Sequence, residues 1–456
     1  MTAEVARIRF RAMSASACRS PQLCLPALHR SAEMKGAGLL CQAIVSVISV
    51  ILLPSNAISY SVLTHEALID LAWNESIRPL LLAKFPNATD QQLLEAHAYA
   101  YGGSAMQDMG YYPFGKTFFS DLTHYVRTGD FVARLLKDAK TLNEYAFAIG
   151  ALTHYLGDSI GHSQAINLAT AMAFPKLKAK YGGSVTYGES PHSHIRTEFA
   201  FDVQGLSDRH FAPDAYLERV GLKVPRTFLR QVFIATYGID ISEVLGRARP
   251  DIKSYRTSVR TVIPAFAQAL VVLHKNQFPP HPDTEAYRIF AQRVARTNYE
   301  RRWKYTYKGP GFNAHLLAIF VFIIPKIGAA SNLAIKIPIP ETQEWYVRSV
   351  NQALDRFHDM LQQLRTEPGT PVRLTNLDLD TGERVRLGDY ALADNAHREL
   401  LARLTSKPRR GVPADVKQSM LEYYEDAASI TDANDPTPAQ LETLRSMSVK
   451  SFRESE

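Results

Sequence analysis

The chain has 456 residues, 46% of them hydrophobic and 21% charged, the balance of a globular protein with enough apolar material for a large core. Its formal net charge is +7, but residues 1–59 hold six Lys/Arg and two acids, a net +4 that leaves +3 for the rest and gives no strong nucleic-acid signal. All three cysteines, Cys18, Cys24 and Cys41, fall in that leader, which excludes a disulfide scaffold, a thiolate metal site and a cysteine nucleophile from residue 60 onward.

The leader reads as a signal peptide. Met34-Lys35-Gly-Ala-Gly is a short basic start, residues 39–53 are apolar, and Ser55-Asn-Ala57 and Ala57-Ile-Ser59 place small residues where signal peptidase reads them. The apolar stretch is short for a bilayer span of about 20 residues. The expectation is therefore a leader over 1–59, cleavage after Ser59 and a secreted or periplasmic protein that begins at Tyr60.

Apolar periodicity then predicts helices over 64–84, 91–101, 143–169 and 193–203. The stretch 101–120, aromatic and glycine-containing, reads as a loop whose Tyr112, Phe114 and Phe118 either shape a pocket or pack in the core. Further helices are expected over 226–235, 252–275, 284–302, 341–364, 395–404 and 414–427. Residues 316–324 form the strongest apolar run after the leader, too short to span a bilayer. It is either a buried core helix or an interfacial element that touches lipid. Residues 372–387 alternate and turn at Asp380-Thr-Gly382, which predicts one small β-hairpin. Asp378 and Asp380 lack the spacing and distal glutamate of an EF-hand loop, so they read as a polar strand face and turn. From Arg409 on the chain is polar and is expected to pack loosely.

The run His154-Tyr-Leu-Gly-Asp158-Ser-Ile-Gly-His162 stands out. On a helix, positions i, i+4 and i+8 share one face, drifting by about 40° per step. Two imidazoles and a carboxylate on one stripe of an apolar helix are ligands that zinc accepts. The competing reading is a core helix whose polar groups satisfy one another. His194-Ile-Arg-Thr-Glu198 repeats the one-turn spacing, although such pairs are also common on solvated helix faces. His65, Asp108 and His124 supply further candidates upstream.

The order His65, Asp108, His124, His154, Asp158, His162, His194, Glu198 resembles the zinc-dependent phospholipase C family, which is related to the S1/P1 nucleases and to the catalytic domain of GPI-specific phospholipase D. The resemblance covers roughly residues 60–203. It implies an all-α, phospholipase C/P1 nuclease-like helical domain over 60–210. It does not account for 211–456, which the helices and hairpin expected there make a mainly helical extension, either an elaboration of that domain or a second helical region. It also implies two or three Zn²⁺ ions. By that resemblance Asp108, His124, His154 and Asp158 hold one; His162, His194 and Glu198 hold a second. His65, Asp158 and the amine and carbonyl of Tyr60 hold a third, with Asp158 bridging and Asp108 orienting or deprotonating the attacking water. The Asp158-Ser-Ile-Gly-His162 segment is shorter than the Pro-containing one of the small phospholipases and nucleases, and closer to the GPI-specific phospholipase D pattern. The implied substrate is a phospholipid or other phosphodiester, with peripheral membrane contact. The alternatives are an S1/P1-like single-strand nuclease and a non-catalytic zinc-binding helical protein.

Overall fold

The computed structural model describes residues 62–112, 115–245, 248–299, 305–407, 411–425 and 437–450. The leader, Tyr60 and Phe114 lie outside them. Within the described residues the protein is all-α, with no named strand.

The central element is α4, Leu142–Gly161; before it come α1 (Val62–Ala72), α2 (Asp90–Ser104) and α3 (Thr117–Tyr125). A capping box starts α4: the Thr141 hydroxyl accepts from Glu144 N at 3.2 Å and the Glu144 carboxylate accepts from Thr141 N at 3.0 Å. Apolar residues surround α4 on all sides, and nearly every one from Tyr145 to Leu156 is buried, as a helix apolar all round must be. α2 crosses it at backbone contact. A Cβ on Gly103 would lie 2.0 Å from Phe147 O, and one on Gly150 would lie 2.1 Å from Ala100 O. Only glycine permits that approach.

The other side of α4 is covered by the long helix α9, Pro340–Thr366, after α5 (Pro191–Ser207), α6 (Ile263–His274), α7 (Glu285–Thr297) and α8 (Phe312–Ile323). α5 reaches α1 through Asp202, whose carboxylate accepts from Leu63 N at 3.0 Å and from Thr64 N at 3.1 Å. This capping carboxylate meets the positive end of α1.

Several sequence expectations are corrected. The loop expected over 101–120 is largely helical: α2 runs to Ser104, a 3₁₀ turn covers Gln107–Tyr111, and α3 begins at Thr117. The expected hairpin is a tight turn closed by one antiparallel bridge, Leu377 to Arg384. Its backbone bonds across the turn, Asp378 N to Glu383 O and Gly382 N to Asp378 O, both at 2.8 Å, and also to neighbouring helices. Leu377 N donates to the Thr128 hydroxyl at 2.9 Å, and Leu379 N donates to His124 O at 3.1 Å. The described residues beyond 411 are packed, not loose: Val412, Val416, Met420 and Leu444 are fully buried, with α12 (Thr437–Ser446) seated on α10 (Ala391–Thr405) beside α11 (Ala414–Tyr423).

Helix α8 divides between the two readings of the 316–324 run. Ala314, Leu317, Ala318 and Val321 are buried against α6, while Phe312, Ile319, Phe322 and Ile323 are 58–77% exposed.

Candidate metal centre

His65 on α1, Asp108 on the 3₁₀ turn, His124 on α3, His154 and Asp158 on α4, and His194 and Glu198 on α5 converge with His162, and all are buried. Asp158 is at the middle. Its Oδ2 lies 3.0 Å from His154 Nε2 and 3.3 Å from His124 Nε2. Its Oδ1 lies 3.2 Å from His65 Nε2 and 3.9 Å from His162 Nε2. Asp108 Oδ1 is 3.3 Å from His124 Nε2. On the far side, Glu198 Oε1 is 3.0 Å from both His162 Nε2 and His194 Nε2.

Local backbone geometry sets these positions. α4 ends at Gly161 and the next five residues, His162–Ile166, form a π-turn, in which Asn167 N donates to His162 O. His162 N still donates to Asp158 O as in an α-helix, so the i, i+4, i+8 stripe holds through His162, whose ring meets Glu198 of α5; the wider turn begins only after it. Three imidazoles are oriented through Nδ1 by carbonyls: His124 by Ser120 O at 2.8 Å, His154 by Ser104 O at 2.8 Å, and His162 by Leu379 O at 3.1 Å. In each, Nε2 is thereby turned to the cluster, the usual arrangement behind a metal-bound histidine.

The donors fit zinc. They are imidazole nitrogens and carboxylate oxygens, the set zinc accepts where no thiolate is present. Three carboxylates are buried among five imidazoles. Both oxygens of Asp108, both ring nitrogens of His194 and Glu198 Oε2 are buried without a hydrogen bond of normal geometry. Groups so placed are costly unless a cation meets them. Charge pairing within the cluster shifts two of these groups. Burial pulls His124 down, but its bonds to Asp108 and Asp158 prevail and raise it to about 10. Burial pushes Asp158 up, yet the His154 and His162 charges outweigh it and hold it well below the usual carboxylate range. The structure groups His124, His154 and Asp158, and separately His162, His194 and Glu198, closely enough for each set to share an ion; His65 and Asp108 join His154 in a third grouping.

The sequence reading missed Asp380. Instead of forming a polar strand face, Asp378 and Asp380 are buried, and Asp380 Oδ1 lies 3.5 Å from His162 Nδ1. Its other oxygen accepts from Tyr125 at 2.8 Å and from Tyr390 at 2.7 Å. Gly382, at φ +74°, makes the turn, and a Cβ there would lie 2.5 Å from Ser159 O. The sequence does contain a hint, a pair of aspartates before a turn glycine, but nothing local ties it to His162. Of the two readings of the aromatics, Tyr112 and Phe118 follow the core one and are buried. Tyr112 packs on Tyr255 with ring centroids 5.4 Å apart, and Phe118 lies under the Arg403 guanidinium. The tyrosines beside the cluster are Tyr111, 5.7 Å from His124, and Tyr187, edge-on to His194 at 5.8 Å.

Residues 64–246 match the family model of zinc dependent phospholipase C, a hydrolase family. That segment contains His65 and every other member of the cluster through Glu198, while Asp380 lies beyond it. No curated protein and no solved structure matches the chain.

Proposed function

We propose that this protein is an exported, zinc-dependent hydrolase that cleaves the head group of a phospholipid. The observation that carries the reading is Asp158, one buried carboxylate whose two oxygens face different sets of imidazoles inside the matched segment. A single structural zinc needs four ligands; a carboxylate shared in this way suits two or three ions.

A phosphodiester is anionic and repels hydroxide. Bound zinc would neutralise phosphate oxygens, lower the pKa of a water toward about 7 and stabilise the leaving alkoxide. Asp158, His124 and His154 would hold one ion with Asp108, and His162, His194 and Glu198 a second. Asp108, with no well-formed hydrogen bond to satisfy its carboxylate, is the group assigned to orient the attacking water and receive its proton. His65 would bind a third ion with Asp158 and the Tyr60 amine. The capping of Leu63 and Thr64 by Asp202 supports this, since it fixes the chain just after Tyr60 to the helix that carries Glu198.

The exposed face of α8 supports contact with a lipid surface. Phe312, Ile319, Phe322 and Ile323, with Ile327 just beyond, form an apolar ridge 58–77% exposed, of the kind that inserts among head groups. On this reading residues 60–210 form the catalytic core, and 211–456 brace the metal centre and dock the enzyme.

Purified, zinc-loaded protein tested on phosphatidylcholine vesicles and on single-stranded DNA decides among the readings. Release of a soluble phosphate ester from the vesicles is the expected result. Cleavage of DNA with lipid untouched would transfer the assignment to a nuclease, and inertness on both would leave a non-catalytic metal protein.

A further inference from the structure

A second group of ligand-type side chains lies at the other end of α5. Asp208 caps that helix, ten residues after Glu198 and therefore about 15 Å further along the axis at 1.5 Å per residue. The chain then reverses. Arg209 takes a left-handed conformation at φ +60°, and His210 N returns to bond Gly205 O at 2.8 Å. This C-terminal motif puts Asp208 and His210 beside the segment between α6 and α7, which contributes His281. One ligand atom from each of the three lies within 4.8 Å of the others. His281 Nε2 is 3.6 Å from Asp208 Oδ1, and its ring stacks on Tyr287 with centroids 4.5 Å apart. The Tyr287 hydroxyl, 3.3 Å from His210 Nε2, fixes the second ring.

We propose that Asp208, His210 and His281 form a separate site for one first-row divalent transition-metal ion. A different observation points to the same spot. Gln204 is 6% exposed, yet its Oε1 has no hydrogen-bond partner, and neither has Asp208 Oδ2. Both residues line, with the two histidines, a cavity of about 20 Å³, room for about one water or ion. Two imidazoles and a carboxylate select zinc and its neighbours over calcium or magnesium. The carbonyl end of α5 adds a field that favours a cation. Gln204 lines the same cavity. The His281 side chain is 36% exposed, so this ion exchanges with solvent. It ties the end of the helix that carries His194 and Glu198 to the segment entering α7, and it does not depend on the catalytic assignment.

The test counts metal. The full chain is stripped with chelator, dialysed to equilibrium against a fixed concentration of Zn²⁺, and the zinc bound in excess of the dialysate is measured by mass spectrometry. Asp208→Asn keeps the shape of the side chain, and His281→Ala removes a half-exposed one, so both variants should fold. Each is expected to bind one zinc fewer than the parent. In combination with Glu198→Gln, each loss should add to whatever Glu198→Gln removes. A count equal to the parent's in either single variant, with folding verified by circular dichroism, overturns the site.

Discussion

Asp380 reaches His162 from the far half of the chain, its Oδ1 3.5 Å from His162 Nδ1, while the neighbouring Leu379 carbonyl accepts from the same nitrogen at 3.1 Å. A loop outside the matched segment thus orients an imidazole inside it. Outer partners of this kind fix ring orientation and raise ligand basicity, and their loss costs about 10- to 100-fold in metal affinity. Asp380→Asn is therefore expected to release zinc to a competing chelator at about tenfold lower chelator concentration, with helicity unchanged. An unaltered chelator curve would reduce the turn to packing.

The crossing of α2 and α4 is held by glycines, and the Ser104 carbonyl that orients His154 sits at that crossing. A methyl group at Gly150 has nowhere to go. Gly150→Ala is expected to cost about 3 kcal/mol or more in denaturant unfolding and to lower metal content with it. Stability within about 0.5 kcal/mol of the parent would show that the helices separate easily.

Phe312, Ile319 and Phe322 on α8 are exposed, whereas Phe320 packs against the core. Replacing the first three with serine is expected to weaken sedimentation with phosphatidylcholine vesicles and leave the melting temperature within a few degrees. Phe320→Ser is the contrasting variant and should lower it. Equal vesicle binding by the triple variant would remove α8 from the docking surface.

His397 tests the packed C-terminal region by pH. It is buried, stacked on Tyr423 with centroids 3.5 Å apart, and burial lowers it to about 4. A histidine depressed below its unfolded value of 6.5 contributes stability that is present above pH 6.5 and lost as the pH falls toward 4. The full effect is on the order of 3 kcal/mol. His397→Phe keeps the stacking and should flatten the fall in melting temperature between pH 6.5 and 4, compared with the parent. Parallel curves would contradict the assignment.

The candidate site was legible because chemistry constrains it: few residue types bind zinc without cysteine, and His154, Asp158, His194 and Glu198 stand at helical spacing. The long helices were legible from apolar periodicity. α3 was missed although Phe118, Phe119, Leu122 and Tyr125 recur at helical intervals, because the glycines before it read as loop. Asp380 was not legible. Its alternating surroundings fit a strand locally, and only the tertiary fold reveals that the turn is also tied to His124 and Thr128. The split of α8 into a buried and an exposed face likewise depends on α6, which an apolar run cannot announce. The leader and the proposed Tyr60 chelate lie outside the described residues.

The shared carboxylate is the centre of the account, and the zinc content of Asp158→Asn, measured by mass spectrometry beside the parent, tests it most directly. Both oxygens of Asp158 face imidazoles, Oδ2 toward His154 and His124 and Oδ1 toward His65. The account predicts that this one substitution removes at least two zinc ions and abolishes head-group release. A variant that keeps the parent's zinc count, or loses a single ion and still hydrolyses phosphatidylcholine, would contradict it.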